Sequence, residues 1–184
     1  MSGVGSLFVA VGGWNRGDLS VSEVYSIAQE KWKALPHLNT ARSSPGTCLL
    51  SSLRIYCFSG QQNCSTFVGS IETLHIHTDT KWKTLPFDER VAKAYLLVGV
   101  SYEGKVLLFG GRFLSGHNMQ SFSEEGEFVE DLSEDPLVPG YMTQGSVVVK
   151  RGRILASGYR KVRNVARTVV GEFSGEKWSL LSEA

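Results

Sequence analysis

The sequence predicts an all-β protein built from four repeats. An apolar run that ends at glycine occurs four times, and such a run is typical of a buried strand ending where the backbone turns tightly. The final glycines, Gly13, Gly60, Gly111 and Gly158, are 47, 51 and 47 residues apart, which indicates a repeat architecture. The composition agrees, because 20 glycines stand against 5 prolines and no long stretch has apolar residues at helical spacing.

The first repeat, about 7–46, is expected to be incomplete. Its apolar run 7–11 is followed by Gly12 and Gly13, a polar loop over 14–18 and a second strand over 22–27. The segment 31–36 alternates Trp and Leu with Lys, which is typical of an outer strand with one buried face. No segment before residue 7 is predicted as a strand, so this repeat is expected to have three strands where the others have four.

The second repeat, about 47–93, copies the first. Its segment 81–86 reads K-W-K-T-L-P and matches 31–36 at five of six positions, which indicates a duplication. The third repeat, about 94–144, keeps its glycine pair but has Phe128 and Val129 in its outer strands and no Trp. The fourth repeat, about 145–184, has a Trp again at position 178. First strands are predicted to begin near residues 47, 94 and 146.

The order of strand, glycine pair, loop, strand, Trp-x-x-Leu-Pro and a loop with Arg resembles the kelch repeat. The resemblance runs from Leu7 to Leu181 and is clearest in the first two repeats. It implies a single kelch-type β-propeller domain over 1–184 with about four blades, three complete and one lacking its first strand. Such a chain is a part of a larger propeller, an open arc or a minimal ring, and we favour the first.

The resemblance also implies a binding face. In kelch propellers, the loop after the glycine pair and the loop before the next first strand emerge on one face, where ligands commonly bind. In the second loop class, Arg42, Arg90 and Tyr141 each lie four residues before the small residue that opens the next strand, and Tyr141 departs from the family's Arg. The first loop class contains Trp14, Asn15, Arg16, Gln61, Gln62, Asn63, Arg112, Phe113, His117, Asn118, Arg160 and Arg163.

Arg, Asn, Gln and aromatic side chains on one face would suit a peptide that carries carboxylates or phosphates. The alternative for Arg42 and Arg90 is structural, namely that they bind backbone carbonyls between blades. His75 and His77 share one face of a predicted strand, as metal ligands would. No third ligand stands at a convincing spacing, so no metal site and no cofactor are predicted. Cys57 lies in an apolar run and is expected to pack in the core.

The acidic stretch 124–135 and the basic stretch 150–167 are expected to attract each other or to be solvated, in preference to binding RNA or a partner. The net charge of +1 gives no reason to expect nucleic acid or a membrane surface as a partner. No signal peptide and no membrane span are expected, and three cysteines outside the repeat pattern suit reduced thiols in the cytoplasm.

Two functions are therefore predicted. The leading one is a non-catalytic module that binds a protein or peptide on the loop face, which the resemblance connects with substrate recruitment by ubiquitin-ligase adaptors. That connection would need an F-box or BTB domain, and none is found in this sequence. The alternative is a kelch-like propeller enzyme that acts on a sugar or a small metabolite in a central pocket.

Overall fold

A computed structural model of the chain describes residues 2–4, 6–85, 94–113, 119–131, 147–162, 165–174 and 178–183. Within these ranges every regular element is a β-strand, which confirms the all-β prediction. The described residues accordingly form no helix with the length and apolar character needed to cross a bilayer.

In the described ranges eighteen strands form four four-stranded antiparallel sheets and one small ribbon. The first sheet has the strand order β1 (Ser2–Val4), β2 (Leu7–Val11), β3 (Ser22–Ser26) and β4 (Lys31–Leu35). The second sheet has the order β5 (Gly46–Leu49), β6 (Arg54–Phe58), β9 (Ile71–His75) and β10 (Lys83–Thr84). The ribbon of β7 (Gln61–Gln62) and β8 (Thr66–Phe67) lies in the chain between β6 and β9.

The third and fourth sheets repeat this arrangement. The third consists of β11 (Ala94–Tyr102), β12 (Lys105–Phe113), β13 (Met119–Ser123) and β14 (Phe128–Asp131). The fourth consists of β15 (Val147–Lys150), β16 (Arg153–Val162), β17 (Val165–Phe173) and β18 (Trp178–Glu183). Each sheet is therefore an antiparallel meander whose strands come from one stretch of the chain.

Two predictions about strand ends are wrong. The first repeat has a first strand after all, because Ser2–Val4 pairs with β2 in the register Ser2 to Val9. The glycine pair ends the inner strand only in the first two repeats, where β2 stops at Val11 and β6 at Phe58. In the third and fourth repeats β12 and β16 continue past their glycines, because longer partner strands extend the hydrogen-bond ladder beyond them.

The sheets pack face to face in chain order, and the inner strands contribute alternate residues to two different clusters. In β6, Ile55 and Cys57 face the first sheet, and Tyr56 and Phe58 face the third. In β12, Val106 and Leu108 face the second sheet, whereas Leu107 and Phe109 face the fourth. Because successive strand residues point to opposite faces, a sheet between two others needs a continuous apolar run. This requirement explains the apolar runs of the second and third repeats.

In each sheet three large apolar side chains, one from or directly beside each of three neighbouring strands, lie side by side on one face, and we call them the triad. In the second, third and fourth sheets this face packs against the preceding repeat. In the third sheet Val106 pairs with Phe122, which pairs with Phe128. In the fourth sheet Ile154 pairs with Phe173, which pairs with Trp178. Phe128 therefore stands where the other repeats have Trp, which explains how the third repeat retains its packing without one.

Candidate functional site

Two loops lie side by side at the end of the sheets where the inner strands of the first two repeats stop. In the first, Trp14 and Asp18 form an isolated β-bridge, and the Asn15 N–H donates to the carbonyl of Gly17 at 2.9 Å. This closed turn leaves the Trp14 side chain 61 % exposed. A large apolar ring held in solvent by a tight loop is a feature that binding surfaces often use.

The second loop, 61–67, contacts the first. The backbone N–H of Asn63 donates to the Asp18 carboxylate at 2.5 Å. Behind this contact, Ser43 and Gln61 exchange two backbone hydrogen bonds of 2.8 Å, which join the loop to the segment between the first two sheets. We call the exposed surface formed by residues 14–18 and 61–67 the loop end.

The loop end rests on a buried arginine. The Arg42 guanidinium donates to the backbone oxygens of Thr40 at 3.2 Å, Ser59 at 2.9 Å and Ser70 at 2.8 Å. It also donates to the Ser70 hydroxyl at 2.9 Å and to a carboxylate oxygen of Glu72 at 2.5 Å. The Arg42 and Glu72 side chains have no exposed surface. A buried charge is tolerated when it is paired and its hydrogen bonds are satisfied, and both conditions hold here.

Glu72 extends the same network to the incoming chain. Its two carboxylate oxygens accept from the backbone N–H groups of Asn39 at 2.7 Å and Thr40 at 3.1 Å. The Asn39 side chain donates in turn to the carbonyl of Trp82 at 3.0 Å. The crossing from the first sheet to the second is therefore fixed by its own side chains Asn39 and Arg42 and by Glu72 of the second sheet, and it presents the loop end on a stiff base.

Strained backbone marks the same region. Arg16, Ser44, Ser59, Asn63 and Cys64 have positive φ angles between 48° and 59°, although none of them is glycine. Such conformations cost of order 1 kcal/mol or more each and persist where the surroundings fix them. Loops held in this way are preorganised, so a ligand would not have to order them on binding.

The predicted site residues fall into three groups. Asn15, Arg16 and Asn63 are exposed at the loop end, and Gln61 is half-buried beneath it. Arg42 is fully buried and binds backbone carbonyls, so its contacts are those of the structural alternative and its side chain does not reach the surface. The remaining predicted residues are Arg112 and Arg160, which lie within β12 and β16 where a loop was predicted, and Arg90, His117, Asn118, Tyr141 and Arg163, which lie outside the described residues.

The weaker candidates show no converging chemistry. His75 ends β9, and its ring accepts from the backbone N–H of His77 at 3.3 Å. Within the described ranges no three His, Cys, Asp or Glu side chains gather as a metal ion would need. Cys57 is buried in β6 as predicted, and burial raises the pKa of its thiol to about 12. A thiol with so high a pKa is a poor nucleophile.

Sequence reasoning missed two residues, Glu72, which binds Arg42, and Asp18, which accepts from the backbone N–H of Asn63. A signal for Glu72 was present, because Glu72 pairs with Cys57 in the second sheet as Glu23 pairs with Ala10 in the first. A carboxylate at the same place in two repeats, next to a loop with a lone Arg, indicates an ion pair. No comparable pattern distinguishes Asp18 from other loop acids.

No protein-family model and no curated protein sequence matches this chain.

Proposed function

We propose that the protein is a non-catalytic interaction module of kelch β-propeller type that binds a protein or peptide at the loop end. The support for the propeller architecture is the repetition of one four-stranded meander, with each sheet packed face to face on its neighbours in the chain. Repeated meanders of this kind are the building units of propellers, in which neighbouring blades bury each other's faces.

The observation that carries the binding proposal is the exposure of Trp14 beside Arg16 and Asn63. Trp and Arg are the residues most enriched among those that dominate binding energies. Here they stand on loops fixed from below by Arg42 and by the contact between Asn63 and Asp18. A rigid aromatic side chain next to a cation is a suitable surface for a peptide with an apolar and an acidic residue close together.

The proposal is tested by probing an array of short peptides in acidic, phosphorylated and neutral series with the purified chain. Peptides that bind are then titrated against Trp14→Ala, Arg16→Ala and Asn63→Ala. Loss of a central Trp or Arg contact is expected to weaken binding about tenfold or more, since 1.4 kcal/mol corresponds to a factor of ten. Val129→Ala is the control, because it removes an exposed apolar side chain of the third sheet that lies outside the loop end.

Binding that is unchanged in Trp14→Ala and Arg16→Ala, or weakened equally in Val129→Ala, would refute the placement at the loop end. Recruitment of substrates to a ubiquitin ligase is the more specific form of the proposal. It requires that a partner bound at the loop end also be joined to an F-box or BTB domain, which reconstitution with purified ligase components would test.

An enzyme acting on a sugar or small metabolite stays the alternative prediction. Incubation of the chain with a panel of sugars and glycosides, followed by mass spectrometry, tests it directly. Turnover of any of these compounds by the wild-type chain would contradict a non-catalytic module.

A further inference from the structure

The interfaces between sheets follow one pattern. In each of the second, third and fourth sheets, the triad facing the preceding repeat is packed in a hydrophobic cluster. Its members in the second sheet are Ile55, Leu74 and Trp82, none of them more than 1 % exposed. Its members in the fourth sheet are Ile154, Phe173 and Trp178, at most 4 % exposed.

The first sheet carries the same triad on its outer face, with nothing packed on it among the described residues. Phe8 pairs with Tyr25, which pairs with Trp32, and the rings of Tyr25 and Trp32 are 5.1 Å apart. Phe8 is 42 % exposed and Trp32 is 50 % exposed, although their counterparts Ile55 and Trp82 are buried. The outer face of the first sheet therefore has the composition of an internal interface without its covering sheet.

The fourth sheet has an exposed apolar residue on its other face, the one that in the second and third sheets packs against the following repeat. The residue after the inner member of each triad faces the following repeat, and in the second and third sheets this residue is Tyr56 or Leu107, both buried. In the fourth sheet it is Leu155, which is 36 % exposed. The outer face of the fourth sheet, on which Leu155 lies, therefore corresponds to faces that are buried between sheets elsewhere in the chain, but here it is exposed.

The charged residues on the outer face of the fourth sheet resemble those at the interface between the second and third sheets. Between the second and third sheets, Arg54, Tyr56 and Lys83 line a cavity of about 440 Å³ together with Glu124 and Glu125 from the turn before β14. The Tyr56 hydroxyl donates to the carbonyl of Glu124. A basic strand end on one sheet therefore meets an acidic turn on the next.

At the corresponding place the fourth sheet carries an excess of basic side chains, of which Arg153 is paired with Glu172 at 3.0 Å. A cavity of about 420 Å³ is lined there by Arg151, Arg153, Leu155 and Glu172, with Lys150 beside them. Arg153 and Leu155 stand where Arg54 and Tyr56 stand in the second sheet. On the first sheet, the turn equivalent to that of Glu124 runs from Ile27 to Glu30, so it offers an exposed apolar side chain and one acid.

We propose that the outer face of the fourth sheet binds the outer face of the first sheet of a second copy of this chain. The triad of Phe8, Tyr25 and Trp32 covers Leu155, and Glu30 lies near the arginines beside it. Both surfaces belong to one chain and expose large apolar side chains, and Glu30 would stand opposite the excess basic charge of Lys150 and Arg151, so a second copy is a partner that matches both.

The contact is heterologous, so two copies close into a ring when each uses both faces. The described residues of one copy form four four-stranded sheets, so two copies together have eight, which lies within the range of blades in known propellers. In that ring no triad is left exposed.

The first test is the mass of the purified chain in solution, measured by light scattering after size exclusion. The expected mass is about 40 kDa, twice the 20.2 kDa of one chain. Trp32→Glu and Leu155→Glu, which place a charge in opposite halves of the contact, are each expected to give a folded monomer. Val129→Glu is the matched control, because Val129 is an exposed apolar residue on an edge strand of the third sheet.

A monomeric wild-type chain at tens of micromolar would overturn the proposal, whether both faces stay open or close on each other within one copy. Dissociation by Val129→Glu to the same extent would also overturn it. Circular dichroism of each variant separates loss of association from loss of fold.

The second test is crosslinking, which reports the orientation of the contact. Ile27→Cys and Leu155→Cys are combined in a Cys64→Ser background, because Cys64 is the exposed native thiol and Cys48 and Cys57 are buried. A short bis-maleimide is expected to join two chains only when both engineered cysteines are present. Equal crosslinking by the control pair Ile27→Cys and Val129→Cys would exclude this orientation.

This interface is independent of the proposed binding function. Trp14→Ala and Arg16→Ala alter the loop end and are expected to leave the mass at about 40 kDa, twice the chain mass. Loss of peptide binding without dissociation, or dissociation without loss of peptide binding, therefore shows which of the two proposals fails.

Discussion

Arg42 and Glu72 form an ion pair at 2.5 Å with both side chains completely buried, and they join two segments that are 30 residues apart. Arg42 comes from the loop that crosses from the first sheet to the second, and Glu72 comes from β9 in the second sheet. Each charge is also bound by polar groups of the loop or the sheet. This pair therefore fixes the crossing, and through it the base of the loop end.

Arg42→Ala is expected to lower the free energy of unfolding by about 3–5 kcal/mol, because it leaves the Glu72 carboxylate buried without its counter-charge. The carbonyls of Ser59 and Ser70 would lose a donor at the same time. Urea unfolding followed by circular dichroism measures the change. Lys83→Ala is the control, since the pair between Lys83 and Asp79 is exposed at the lysine and is worth about 0–1 kcal/mol. A loss in Arg42→Ala no larger than in the control would contradict the structural role.

Gly60→Ala is expected to destabilise the chain by about 1–3 kcal/mol. Gly60 has a φ of +104°, and a Cβ there would lie 2.8 Å from the carbonyl oxygen of Ser43. Gly17→Ala is the matched control in the neighbouring loop, because no atom lies within 4 Å of a Cβ at that position. Thermal unfolding of both variants measures the difference, and equal midpoints would refute the close approach.

Trp82→Ala is expected to cost about 3–5 kcal/mol of stability, as for other large buried side chains. Trp82 is buried between the first two sheets, and its indole N–H donates to the carbonyl of Pro36 at 2.8 Å. Trp14→Ala is expected to change stability by less than about 0.5 kcal/mol, because Trp14 is a surface residue. Guanidinium unfolding of the two variants tests this, and similar losses would place Trp82 outside the core.

The cysteines give a prediction with a defined pH range. Burial raises the pKa of the Cys48 and Cys57 thiols from about 9 to about 12, so the folded chain holds these protons more tightly than the unfolded chain. Their contribution to stability is therefore complete below pH 9 and is lost as the pH rises from about 9 towards 12. Stability measured across this range is expected to fall less steeply in Cys48→Ala than in the wild type.

A labelling experiment tests the same burial. At pH 8 a thiol reagent is expected to modify Cys64 alone in the folded chain and all three cysteines in denaturant. Fast labelling of Cys48 or Cys57 in the folded chain would contradict their burial. Cys64→Ser serves as the control that assigns the reactive thiol.

Periodicity predicted most of the fold. The apolar runs predicted the inner strands β2, β6, β12 and β16, and for β6 and β12 the physical reason is that a sheet between two others needs apolar residues on both faces. The strand β1 escaped prediction because Ser2–Val4 contains only one large apolar residue, and its partner β2 supplies the order. Strand length in the later repeats was also missed, since the length of a strand depends on what pairs with it.

The candidate site was only partly predictable. Exposure of Asn15, Arg16 and Asn63 followed from their polar loops, but the burial of Arg42 could not be read from its own neighbours in the sequence. It depends on Glu72, which is distant in sequence and becomes a partner only when the second sheet forms. An arginine in a loop has the same local pattern whether it binds a carboxylate inside the chain or a partner outside.

Each sheet is made from its own stretch of the chain, and the hydrophobic clusters join sheets that are neighbours in the chain. Contacts are therefore short in sequence for an all-β protein, and assembly can proceed one sheet at a time. The second and third sheets are covered on both sides, so their amides are expected to exchange with solvent most slowly. In evolution, such a chain can gain or lose a repeat while the remaining repeats keep their own internal pairing.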